Sequence, residues 1–390
     1  MKSLSPHLLI GFAWLAGWLL SCRDPAPIAP PTTPARPIPP VTTPTPRVIA
    51  EPLVYAGSYD GRLYALDTTT GQVRWQFRAD TSIHSSPVVA YGLLYTATLG
   101  GRLYALDAAT GQVRWQARTL GAIHSSPLVA AGRLFIGSQD NQFYALDATT
   151  GAFLWSLKLN HGFYSSPTVA GDLVYVGNLD NTVYALDAAT GALRGQSTTG
   201  GFVLSSPVVA NGTLYVGSQD GYLYAFDAGR STQRWRTNLG GPVDASPVVV
   251  GNLVYVGGGD GRFYALDAAT GTVRWRFAAQ FPFYGSAVIA GGLLYVGSRD
   301  RSVYALDAAT GTLRWSYRTN YDVYGTPVVT NGSVYIGSTD HSLYALNART
   351  GTLRWQYRTG ALLLASPVLA QRSATVGIYP TISGAGKGDF

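Results

Sequence analysis

From residue 53 onward the apolar residues alternate or come in runs of four to six, broken by Gly, Asp and Asn. No stretch keeps the i, i+3, i+4 spacing of a helix. The segment 245–284, ASPVVVGNLVYVGGGDGRFYALDAATGTVRWRFAAQFPFY, shows the pattern. It divides into four short strands, A (SPVVV), B (LVYVG), C (RFYALD) and D (TVRWRF), joined by tight turns. Asp260-Gly261 between B and C reads as a hairpin in which both central residues tolerate positive φ. The pattern then repeats every 40 residues from Leu53 to Arg372, without insertion or deletion. Its markers are Tyr64, Tyr104, Tyr144, Tyr184, Tyr224, Tyr264, Tyr304 and Tyr344.

Four antiparallel strands per 40 residues make one propeller blade, and helical solenoids of similar period are excluded. The expected fold is therefore all-β, an eight-bladed propeller of four-stranded antiparallel blades. The strand count also predicts how the ring shuts. The first B-C-D set, 53–78, has no A strand upstream, and SPVLA at 366–370 has no complete blade after it, so the two should pair. The tail 373–390 reads as a decayed ninth B strand, displaced from the ring.

ALDAATGTVRW at 265–275 recurs with small changes at 65, 105, 145, 305 and 345. This segment resembles the repeat of the pyrroloquinoline-quinone (PQQ) type propellers, which includes quinoprotein dehydrogenases, BamB-like lipoproteins and sensor domains. The resemblance implies that Trp75, Trp115, Trp155, Trp235, Trp275, Trp315 and Trp355 dock each blade on the next. Independently, an indole on the outermost strand can cover a seam and bury ~150–250 Å². Asp67 and its equivalents, followed by Thr-Gly, have the chemistry of Asx turns. The template erodes at Gly195, where the Trp is missing, and at Gly229-Arg230-Ser231. Drift in a redundant array is one reading; a partner-binding notch at Gly195 and Arg230 is the other.

Ahead of the propeller, residues 1–22 carry one Lys, an apolar run from Leu8 to Leu20 and then Leu19-Leu20-Ser21-Cys22. The run is short for a membrane span, and the layout is that of an export signal ending in a lipobox. Cys22, the only cysteine, is the expected lipidation site. Residues 23–52 hold eleven prolines and read as a semi-rigid spacer. Membrane attachment through lipid follows, at an outer membrane facing the periplasm, which Arg23 rather than Asp favours, or at the cell surface.

The net charge of +7 at first suggests nucleic acid, yet there are only three lysines. Arg74, Arg114, Arg194, Arg234, Arg274, Arg314 and Arg354 occupy one templated position, an even ring and not a groove. No nucleic-acid partner is expected. Of 20 aspartates fourteen are templated, and Glu51 is the only glutamate. A quinoprotein needs a carboxylate-built calcium site, a catalytic Asp and often a cysteine pair, none of which can be matched here. The expectation is no cofactor, no metal site and no catalysis, with a protein partner for a monomeric propeller. Two positions before each Ser-Pro pair or its equivalent stand His84, His124, Tyr164, Leu204, Asp244, Tyr284, Tyr324 and Leu364, at the channel mouth. These form the candidate binding rim, for a small molecule or a peptide.

Overall fold

The computed structural model describes residues 52–370, so Cys22, the signal and spacer segments and the tail 373–390 lie outside the described residues. Within them all regular structure is strand, with no helix that could cross a membrane. Eight sheets of four strands follow one another in the chain, each ordered A-B-C-D. Blade 2, for instance, consists of Val88–Ala90, Leu93–Ala97, Arg102–Asp107 and Val113–Arg118. Strands B and C are buried almost throughout, whereas D alternates exposed and half-buried residues, as expected of an outer strand with one face on the core. The A strands are shorter than the sequence suggests, because Ser and Pro of each SP pair precede the ladder.

Blade 1 is completed from the far end of the chain. Its sheet contains Leu53–Gly57, Arg62–Asp67 and Val73–Arg78, and the A position is taken by Val368–Leu369, with Val54 opposite Leu369 and Tyr55 opposite Val368. The predicted closure is thus the observed one. The Ala370 N–H donates to the Leu53 carbonyl at 2.9 Å, extending the ladder by one bond.

Six of the eight seams between blades are built the same way, the exceptions being at blade 3, where Phe135 stands in place of the strand-B tyrosine, and at blade 4, where Gly195 stands in place of the indole. The D-strand indole crosses to the next blade: Trp75 Nε1 donates to the Ala108 carbonyl at 3.2 Å, Trp115 to Ala148 at 3.0 Å, and Trp355 to Thr68 at 3.0 Å across the closing seam. A buried tyrosine of strand B reaches the same acceptor, as Tyr55 does to Ala108 at 2.8 Å and Tyr335 to Thr68 at 2.9 Å. Under the indole lies the glycine of the Thr-Gly turn, at φ +73 in Gly111, and a Cβ there would sit 2.6 Å from a ring carbon of Trp75. Glycine is required both by the backbone and by the ring.

The B–C turn differs from the expected hairpin. Of Asp260 and Gly261 only the glycine has positive φ, +79. Asp260 instead accepts the Arg262 N–H at 3.0 Å and the Tyr264 hydroxyl at 2.7 Å, so its carboxylate organises the turn from within. The C–D turn is the expected Asx turn. Asp67 Oδ1 accepts from the N–H groups of Thr69 and Thr70, both at 2.9 Å, and Oδ2 from Arg74 at 2.9 Å. A bulge makes that last bond possible, since Ala65 faces Trp75 and Leu66 faces Val73, leaving Arg74 as the extra residue. The arginines read as an even outer ring are therefore paired: Arg114, Arg194, Arg234, Arg274 and Arg314 meet their own blade's Asp at 2.6–2.8 Å. In blade 8 the Asp is Asn347, and Arg354 donates to Ser333 Oγ at 2.8 Å.

Ending the chain after Ala365 removes the closing strand while keeping the buried Leu363. The truncated protein is expected to melt lower by about 5 °C or more and to aggregate through the bared edge of Leu53–Gly57. Thermal unfolding with light scattering checks this, and an unchanged transition would mean the seam contacts alone shut the ring.

Candidate functional site at the channel mouth

The rim positions sit on the loops entering the A strands, beneath which runs a belt of hydroxyls. The Ser86 N–H donates to Ser126 Oγ at 2.9 Å, Ser126 to Ser166 at 2.9 Å, Ser166 to Ser206 at 3.0 Å and Ser206 to Ser246 at 2.9 Å. On the other side Ser286 donates to Thr326, Thr326 to Ser366, and Ser366 back to Ser86 at 2.9 Å. Every step joins neighbouring blades and fixes the loops above. The sequence carried its signal in the periodic Ser-Pro pairs, whose hydroxyls read only as strand starts.

On one side of the mouth the aromatic rings form a ladder. Tyr59 meets His84 edge-on with centroids 5.9 Å apart, His84 meets His124 at 4.9 Å, and His124 stacks on Tyr164 at 4.5 Å. Both histidines are half-buried, and Nδ1 of each is closed off from water with no hydrogen-bond partner. Burial pushes the His124 imidazole down to about 3, helped by the neighbouring His84, and lowers His84 as well. Both rings are neutral at ordinary pH. Burial raises the Tyr59 phenol to about 12.

Tyr284 and Tyr324, on another arc of the mouth, are parallel within 1° with centroids 5.7 Å apart. The Arg299 guanidinium lies 5.6 Å from both ring centres, and its Nε donates to Asp322 at 3.1 Å. The backbones of these two blades approach closely: a Cβ at Gly285 would lie 2.7 Å from the Tyr324 carbonyl oxygen. Asp244 stands apart from both groups, bonded to the Gln219 amide. Burial raises its carboxyl to about 6, against the lowering effect of Gln219.

The structure therefore gathers His84, His124 and Tyr164 in one cluster and Tyr284 and Tyr324 in another, all half-buried. Asp244 does not join the histidines. Tyr59, Gln219 and Arg299 were missed because they belong to the B–C turns; the clue was variation at the residue before a templated Asp. Among the described residues no group of three or more His, Cys, Asp or Glu is placed to hold a metal ion. The donor set does not fit a calcium-bound quinone either, because the mouth carboxylates Asp244 and Asp322 are tied to Gln219 and Arg299 and the chain has a single cysteine.

The family model described as outer membrane protein assembly factor BamB matches four overlapping stretches, 29–126, 100–194, 180–283 and 280–381. The chain belongs to this family. Among solved structures it is similar to BamB from Moraxella catarrhalis, with 23% identity, 79% of this chain and 92% of that chain covered, and a TM-score of 0.63. The computationally designed Ika8 protein aligns at 16% identity, 79% and 93% coverage and TM-score 0.67. The quinohemoprotein alcohol dehydrogenase of Comamonas testosteroni aligns at 15% identity, 73% and 68% coverage and TM-score 0.63. At these identities the likenesses show the fold alone. No curated protein sequence matches the chain.

At the eroded seam of this BamB-family propeller, Gly195 and Ser231 face each other. Ser231 occupies the position that is glycine in the other blades, at φ +58, and its Oγ is 2.6 Å from where a Gly195 Cβ would be. The lost indole and the lost glycine are thus one exchange across a seam, with Arg230 exposed beside it. Restoring Trp at 195 alone is not the repair that the bare repeat suggests, because an indole there needs glycine beneath it. Gly195→Trp is expected to destabilise, and Gly195→Trp with Ser231→Gly to recover or exceed the parent, a coupling of about 1–3 kcal/mol in a double-mutant cycle of denaturant unfolding. Additive effects would dissolve the pairing.

Asp244 yields a pH signature. Its folded pKa lies above the unfolded value, so the folded state binds the extra proton and stability is lost as pH rises from about 4 through about 6. Asp244→Asn is expected to melt higher than the parent at pH 8 and no higher at pH 4, and equal differences at both would remove the burial effect.

Proposed function

We infer that the protein is a non-catalytic, lipid-anchored extracytoplasmic scaffold that binds a protein partner, in the manner of an outer-membrane protein assembly factor. The observation that carries this reading is the BamB-family match running through the entire ring. The unbroken 40-residue period supports it, since no inserted loop supplies a platform for catalysis. The Leu-Leu-Ser-Cys sequence ending at Cys22 and the proline spacer support anchoring. A second reading is a receptor that takes a small ligand at the mouth. It is favoured by the two partnerless Nδ1 atoms of His84 and His124, whose burial unpaired costs about 1–3 kcal/mol each.

The test is crosslinking in intact cells followed by recovery from membranes, with a photoreactive residue at Leu204 or Leu364 on the rim. Adducts to a membrane-assembly protein are expected, together with release of the Cys22→Ala chain from the acylated membrane fraction. Recovery of no protein adduct from either position would remove the scaffold reading, and unchanged acylation of Cys22→Ala would remove the anchor.

A further inference from the structure

The paired arginines leave the excess positive charge to other positions, and these are unevenly distributed. The last residue of strand D lies at the edge of the ring that carries the B–C and D–A loops. Around the ring it is Arg318, Arg358, Arg78, Arg118 and Lys158 in blades 7, 8, 1, 2 and 3, and Thr198, Asn238 and Ala278 in blades 4, 5 and 6. All five cations are exposed, and none has a salt bridge among the described residues. In blades 1 and 2 they face further arginines directly across the ladder, Arg62 opposite Arg78 and Arg102 opposite Arg118. Like charges directly opposite one another destabilise a sheet, so folding does not favour this arrangement. The templated B–C aspartates occur in blades inside and outside the arc, Asp60 approaching Arg62 at 3.8 Å; the additional carboxylates within the arc are Asp80, 3.4 Å from Arg102, and Asp322, 3.1 Å from Arg299, and each is taken up by one of these further arginines and not by the five strand-end cations.

The same edge carries exposed apolar and aromatic side chains, among them Phe281 of blade 6 outside the arc and, within it, Leu120 and Tyr321, the latter with the Arg301 guanidinium 5.6 Å from its ring centre. Leu120, two residues after Arg118, is 91% exposed, and Tyr321, three after Arg318, is 47% exposed. Cations flanked by an aliphatic and an aromatic residue match an interfacial lipid environment, with headgroup charge outside and apolar boundary beneath. The breadth of the arc bears on the partner. Five consecutive blades of eight can meet one surface together only if that surface is broad, as a bilayer is and a small globular partner is not.

We propose that this arc seats the loop-bearing edge of the propeller on anionic lipid headgroups. It rests on the reading that the protein works at a membrane, and it adds a second, electrostatic contact to the anchor. The thirty residues between Cys22 and the first strand could extend to about 90 Å, enough for either face of the ring to reach the surface. The lipid supplies the attachment, and the cations would set which edge of the ring faces the surface, through an attraction to anionic headgroups that fades within a Debye length.

The experiment is co-sedimentation of the full chain carrying Cys22→Ala with vesicles of phosphatidylcholine alone or with about one third phosphatidylglycerol. The signal segment is present in every arm and cancels. The chain is expected to prefer the anionic vesicles about tenfold or more, with the preference fading between low and high salt. The triple variant Arg78→Ser, Arg118→Ser, Arg358→Ser should lose the preference and keep its melting temperature, since Thr198 and Asn238 fill the same position in other blades. Arg236→Ser with Arg276→Ser, which removes exposed cations from blades 5 and 6 outside the arc, should keep it. Equal binding to both vesicles, or equal loss in the two variants, overturns the proposal. Binding of an acidic protein by the arc without any preference for anionic vesicles also overturns it. Neither result touches the scaffold reading, which the crosslinking decides.

Discussion

The indole laid on a glycine of the next blade is the contact on which the rest of this propeller depends. It ties three things to one place: a donor to a backbone carbonyl, a flat apolar cover for the seam, and a left-handed backbone that no side chain may enter. Trp to carbonyl spans 33 residues, and the tyrosine hydroxyl reaching the same carbonyl spans 53, in seam after seam. Only across the closure do the same bonds become long-range, when Trp355 and Tyr335 both donate to Thr68. A ring built this way closes by repeating its ordinary seam. The two-residue strand Val368–Leu369 then covers an edge that would otherwise be open to other chains.

That economy explains where function can be written. The seam consumes Trp, Tyr, Ala and Gly; the Asx turns consume the first aspartate and its arginine; the B–C turns consume the second aspartate and its tyrosine hydroxyl. What remains free is the residue leading into strand A, the residue before the B–C aspartate, and the last residue of strand D. These are the positions that break the eightfold pattern, giving the histidine ladder, the Tyr284–Arg299–Tyr324 group and the basic arc.

The fold was legible because strand period, turn residues and repeat length all agreed, and because counting A strands against B-C-D sets left one way to close the ring. The site was legible only in part. His84, His124, Tyr164, Tyr284 and Tyr324 could be set on one circle, since a repeat puts equivalent residues at equivalent places. Their partners could not, because Tyr59 and Arg299 come from turns 25 residues upstream of His84 and Tyr324, and proximity across that distance depends on how the loops fold over the edge. The pairing within the arginine ring could not be read for a local reason: a bulge is invisible in a periodic pattern, yet it turns Arg74 toward Asp67. Gly195 and Ser231 looked like separate losses because their contact runs between repeats.

The inner wall carries the same lesson further. Ser85, Ser125, Ser165 and Ser205 occupy one position in four successive repeats, and in three of them the hydroxyl accepts the N–H of the Gly ending strand B, as Gly137, Gly177 and Gly217 show. The other four repeats have Ala245, Gly285, Gly325 and Ala365 there. Loss of the whole side chain at Gly285, where a Cβ would lie 2.7 Å from the Gly325 and Tyr324 carbonyl oxygens, lets the two backbones close in beside the stacked Tyr284 and Tyr324 and the guanidinium they share. The hydroxyl belt is interrupted at the same transition, between Ser246 and Ser286, where no bond joins the two among the described residues. A ring with near-perfect repeats in its core thus has two chemically different sides where the loops enter the A strands, one with the histidine ladder and one with the Tyr284–Arg299–Tyr324 group.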